Sequence, residues 1–233
     1  MIKVFLIFLL LQFNTLMARQ IVLVIADDFN SSKARLFGFE GSKTVFSGID
    51  VNLGRSGLAW GVDEKDFIHK TTEPSKYEGD GKSPAGIFPI SRSFGYGENV
   101  FLLPYIKSSP STICVDDVKS SFYNKIIDMQ QEKPESFEFM KRDDEQYKIG
   151  AVVEYNTNAV KGRGSCIFLH VQKEIDHPTS GCTSMRYSDL LKILQWLDPN
   201  KEPILVQVPK EYLDEVFKQF PQINSKKIIS TIK

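Results

Sequence analysis

Long apolar runs are almost absent from this chain. The longest, Val4 to Leu11, falls far short of the ~20 residues that span a bilayer, so no stable membrane span is expected. Lys3 before it and Leu16-Met17-Ala18 after it complete the three-part pattern of a secretory signal over 1–18. No cysteine stands near that cleavage point, which argues against a lipid anchor. An excess of either charge is also missing: 29 Lys and Arg balance 29 Asp and Glu. That balance removes the electrostatic reason to expect nucleic acid as a partner. There is no C-x-x-C, no repeat and no low-complexity tract. Histidine is scarce, and His170, His177 and Cys182 have no second Cys or His at zinc-like spacing. A metal site is therefore not expected.

What remains, residues 19–233, reads as one exported globular domain with ample apolar and aromatic content for a core. It holds three cysteines, an odd number for an oxidising compartment, where disulfides form in pairs. Two readings stand: Cys114 pairs with Cys166 and leaves Cys182 free, or both are buried thiols.

Short β-branched runs predict strands over 21–26 (IVLVIA), 43–53, 86–91, 150–155, 166–171 (CIFLHV) and 204–208. Glycine-rich stretches, GRSGLAWG at 54–61 and YEGDGKSPAG at 77–86, read as ordered loops. Helices are expected late. Ser188 is a candidate cap for 189–197, with Leu190, Leu194 and Leu197 on one stripe, and 211–220 has a similar pattern. Residues 119–147 read as a polar surface excursion with weak helical character over 121–129. The fold class expected is α+β: a β-rich domain with mixed sheets and peripheral helices.

In CIFLHV the period of two places Cys166, Phe168 and His170 on one face and Ile167, Leu169 and Val171 on the other. His170 thus projects from a strand end, and the segment from there to Cys182 contains Pro178 and Gly181, so it can turn back. A thiol attacks only as thiolate, so it needs a base beside it. The backbone amides of Gly181 and Cys182 are candidate donors to an oxyanion. Nucleophile, base and oxyanion donors together are the minimum for acyl transfer. The plain alternative is a buried cysteine and a strand-end histidine bonded to backbone. His177, before Pro178, reads as solvated, and Asp116-Asp117 as a solvated turn.

The ordered series GRSGLAWG, EGDGKSPAGIFPI, GAVVEYNTN, GSCIFLHV and HPTSGCTSM resembles the YkuD-type L,D-transpeptidase catalytic domain from about residue 52 to 208. The resemblance implies a β-rich fold, Cys182 as nucleophile, His170 as base and the Gly181–Cys182 turn as oxyanion site. It implies peptidoglycan stem peptides as partner, acyl transfer at the diaminopimelate–D-alanine bond, no cofactor, and a periplasmic or wall-associated bacterial setting. Thr179, Ser180, Lys82 and Arg55 are candidate substrate contacts. Three features depart from the commonest pattern: Ser180 replaces a second histidine, the His170–Cys182 gap is short, and Ser184 stands where arginine is frequent. A non-catalytic wall-binding protein and a general cysteine peptidase or amidase are the rival readings.

Overall fold

The computed structural model describes residues 18–62 and 64–232. The expected signal segment thus lies almost wholly outside the described residues. Among the described residues thirteen strands make the fold: β1 (Gln20–Ala26), β2 (Lys33–Glu40), β3 (Lys43–Asn52), β4 (Leu58–Trp60), β5 (Ser83–Gly95), β6 (Tyr105–Lys107) and β7 (Thr112–Val115). These are followed by β8 (Ile126–Asp128), β9 (Phe137–Phe139), β10 (Ile149–Val153), β11 (Phe168–Val171), β12 (Thr183–Met185) and β13 (Ile204–Pro209).

Ten of these strands form one sheet, in which β10-β11-β12-β3-β2-β1-β13-β5 run side by side. The sheet closes into a barrel because β10 also pairs with β5. Pairings are mixed. β1 runs parallel to β13 and β11 parallel to β12, while β10 is antiparallel to both β5 and β11. The β-rich α+β class read from the sequence is the one observed.

β1 is apolar on both faces, and Ile21, Val22, Leu23 and Val24 are fully buried in the core. α1 (Tyr187–Trp196) adds Leu190, Ile193 and Leu194, with Leu197 just beyond its end. At ~1.5–3 kcal/mol per buried apolar side chain, that stripe is enough to fix the helix against the barrel. The helix starts one residue before the expected cap, from Arg186 with no side-chain bond, so Ser188 sits within its first turn. The second late helix is split into a 3-10 turn over Lys210–Tyr212 and α2 (Leu213–Gln219), ahead of α3 (Ser225–Thr231). Among the described residues no helix is long and apolar enough to cross a membrane.

Two expectations for residues 119–147 fail. Residues 121–129 are not helical; they turn and enter β8. Nor is 119–147 a surface excursion. β7, β8 and β9 form a second, three-stranded sheet, and Tyr123, Met140 and Tyr147 within 119–147 are buried. Its strands are only three or four residues long, too short for any period to appear in the sequence. The Cys114–Cys166 disulfide joins this sheet to the chain just before β11. Cys114 and Cys166 are therefore not free thiols.

The two glycine-rich stretches are loops only in part, since Leu58–Trp60 is β4 and Ser83 begins β5, and they pack directly on one another. A Cβ at Gly54 would fall 2.3 Å from the carbonyl oxygen of Gly81, so this turn admits only glycine. Asp80 organises the second loop. Its carboxylate accepts the Lys76 ammonium at 2.6 Å and the amides of Tyr77 and Lys82 at 3.0 and 2.8 Å. Both charged side chains are almost fully buried. Lys76→Met is expected to leave Asp80 charged, buried and short of a partner, costing about 3–5 kcal/mol in urea denaturation. Asp80→Asn together with Lys76→Met should recover part of that loss.

Candidate active site

β11 and β12 lie parallel, with Leu169 opposite Thr183 and His170 opposite Ser184. That register sets Cys182 beside Phe168, with His170 one pleat further along the same face. The opposite face of β11, Ile167 and Leu169, enters the main core, as the period of two predicts. Cys166 itself lies outside the strand, at φ 55°.

Cys182 and His170 both line a cleft of about 760 Å³. Cys182 is the free cysteine among the described residues. Its sulfur accepts the Phe168 amide and donates to the Cys166 carbonyl, each at 3.3 Å. The strand that carries His170 and the half-cystine before it therefore hold the thiol. His170 is 4% exposed, and its Nδ1 lies 2.8 Å from the Val171 carbonyl oxygen. A carbonyl only accepts, so Nδ1 carries the proton and Nε2 is left as the basic nitrogen. Tyr147 packs its ring on the imidazole at 5.2 Å and donates its hydroxyl to Glu138 at 2.5 Å.

Burial sets the protonation states. It pulls the His170 imidazole down to about 4, with the Val171 carbonyl opposing and Arg142 adding to the effect. Burial, then the nearby Glu138 carboxylate, pushes the Cys182 thiol well above its usual range. At neutral pH both groups are uncharged. Among the described residues no hydrogen bond joins them at rest.

These shifts bear on stability. An unfolded imidazole takes up a proton near pH 6.5, whereas the folded one resists until about 4, so falling pH favours unfolding across that window. The loss is roughly 3 kcal/mol between pH 7 and 4. The thiol acts in the opposite direction, and its contribution is lost as pH rises above its unfolded value. Urea midpoints at pH 7, 5 and 4 should fall less steeply in His170→Gln than in the unmodified protein.

The turn before the thiol is tightly held. The Cys182 carbonyl accepts two hydroxyls, Thr179 at 2.6 Å and Ser83 at 3.0 Å. Ser83 also accepts the Gly54 amide at 2.9 Å. A Cβ at Gly181 would sit 3.1 Å from the Lys82 carbonyl oxygen, so close approach explains this glycine. The Gly181 amide donates to Thr179 Oγ1 at 3.1 Å, so it is already engaged at rest and the expected oxyanion pair is not free as such.

Of the four candidate substrate contacts, Arg55, Thr179 and Ser180 line the cleft. Lys82 instead donates its ammonium to the carbonyls of Ser56 at 2.5 Å and Phe29 at 3.4 Å. Its length lets it buttress the loop from behind, and burial lowers its pKa. His177 is exposed at the rim. Asp117 is buried and accepts the amides of Lys119 and Glu135, while Asp116 lines the cleft; neither is a simple solvated turn residue. Glu138, Arg142, Asp144 and Tyr147 also line the cleft, and all come from the stretch misread as surface. The Arg142–Asp144 ion pair at 2.5 Å holds the Asp144 carboxyl well below its usual range. Among the described residues no group of three or more His, Cys, Asp or Glu is arranged to hold a metal ion.

A family model described as the YkuD L,D-transpeptidase catalytic domain matches residues 28–208. The match begins earlier than the resemblance in the motifs, and so includes β2 and β3. No curated protein and no solved structure matches the chain.

Proposed function

The chain belongs to the YkuD family of L,D-transpeptidase catalytic domains, and on that premise we propose an exported cysteine acyltransferase acting on bacterial peptidoglycan stem peptides. The observation that supports it most is the shared cleft wall of Cys182 and His170, with the imidazole tautomer fixed by Val171. The Cys114–Cys166 disulfide fits an oxidising compartment, in keeping with export.

In this reading the Cys182 side chain turns from its cradle toward His170 Nε2. Sulfur attacks the diaminopimelate carbonyl of a tetrapeptide stem as the imidazole takes the thiol proton. The amide of Cys182 receives the oxyanion, and the Gly181 amide joins it when Thr179 Oγ1 releases it. The C–N bond to D-alanine then breaks, and His170 returns the proton to the leaving amine. A thioester on Cys182 remains. An amine acceptor converts it to a cross-link, and water gives a shortened stem.

Incubation with tetrapeptide muropeptides tests the assignment. Release of D-alanine, with either a cross-linked dimer or a tripeptide by mass spectrometry, is expected. Cleavage of ordinary L-peptides alone would favour a general peptidase. Binding of muropeptides with no release would favour a wall-binding protein.

A further inference from the structure

Arg55 sits where three of the sequence motifs meet, GRSGLAWG, EGDGKSPAG and HPTSGCTSM. Its amide donates to the Thr179 carbonyl, and the Thr179 amide to the Leu53 carbonyl, each at 2.8 Å, so the two turns are stitched together. Its side chain lies across Gly81, where an added Cβ would be 2.9–3.0 Å from Cζ, Nε and Cγ. Its NH1 group donates to Ser180 Oγ at 3.3 Å. The serine two residues before the thiol therefore orients the guanidinium.

The other cations on this wall differ from it. Lys76 is ion-paired to Asp80, and Arg142 to Asp144. Lys173 is exposed like Arg55, but unlike Arg55 its side chain has no hydrogen-bond partner among the described residues. Arg55 has no carboxylate within ion-pair distance among the described residues, yet both backbone and side chain are fixed. A fork of N–H donors without an anion matches a carboxylate, which offers two oxygens in one plane.

We propose that Arg55, seated on Gly81 and oriented by Ser180, anchors a free carboxylate of the substrate beside the Cys182 thiol. This rests on the stem-peptide reading and narrows it: the preferred donors keep a free carboxylate near the scissile bond. Two carboxylates have this chemistry, the terminal one of D-alanine and the one on the diaminopimelate side chain.

The test uses a tetrapeptide as free acid, as C-terminal amide, and amidated on diaminopimelate. Arg55→Gln is expected to lower kcat/KM roughly 30-fold on the free acid, and to cost under about three-fold on the amide that lacks the anchored group. That amide identifies the carboxylate. Arg55→Lys should recover only part of the loss, since an ammonium has no fork, and Ser180→Ala should lose a few-fold. Equal losses on all three peptides, or none, would overturn the anchor; the rate of thiol labelling at Cys182 checks that the turn is intact. Equilibrium binding to Cys182→Ala separates the two levels. If the unmodified protein releases no D-alanine, but Cys182→Ala binds the free acid about ten-fold more tightly than one amide only when Arg55 is present, the anchor stands and the reaction fails. If the unmodified protein and Arg55→Gln release D-alanine equally, the reaction stands and the anchor fails.

Discussion

Cys182→Ala will abolish D-alanine release from tetrapeptide stems, with a fall of at least ~10⁴ in kcat, the scale seen when a covalent nucleophile is removed. The fold should survive the change. Cys182 is buried and its sulfur makes weak hydrogen bonds to the Phe168 amide and the Cys166 carbonyl, so alanine costs about 1–2 kcal/mol. Cys182→Ser should be nearly as inactive, because a buried hydroxyl held by the Cys166 carbonyl and a neutral imidazole is a far weaker nucleophile than sulfur. Full activity in either variant would remove the thiol from the mechanism.

His170→Gln is expected to lower kcat/KM by roughly 10³, within the range for loss of a positioned general base. The pH profile makes this specific. An exposed histidine would shut the reaction down below pH 6.5, whereas His170, held down to about 4 by burial, keeps Nε2 free well below that. The acid limb of kcat/KM should therefore fall near pH 4–5 and disappear from the residual activity of His170→Gln. A limb centred near 6.5 would mean that His170 is not the base.

Cys182 and His170 were legible as candidates because both lie in local patterns. A period of two put His170 at the end of an apolar strand, and a glycine preceded the one cysteine not paired in the structure. The rest of the cleft was not legible, for physical reasons. Glu138, Arg142 and Tyr147 reach it through a small sheet whose three- and four-residue strands leave no periodic trace, and the Cys114–Cys166 bridge spans 52 residues. Lys82 stood as a candidate substrate contact by virtue of its loop; only the tertiary fold shows its ammonium on the carbonyls of Phe29 and Ser56. Ser180 had no local reason to stand where it does. Its role as the acceptor for Arg55 depends on a contact across 125 positions of sequence. β2 did carry a signal, since Lys33 and Arg35 alternate with buried Ala34 and Leu36, but Gly38 interrupts the run that follows.

The central claim is a thioester on Cys182. Brief incubation with a tetrapeptide stem, acid quench and mass mapping of the peptide containing Cys182 tests it most directly. The account predicts a mass gain equal to the stem tripeptide acyl group at Cys182, absent from Cys182→Ala and longer-lived when no amine acceptor is present. D-alanine release with no adduct on Cys182, or an adduct on any other residue, would contradict it.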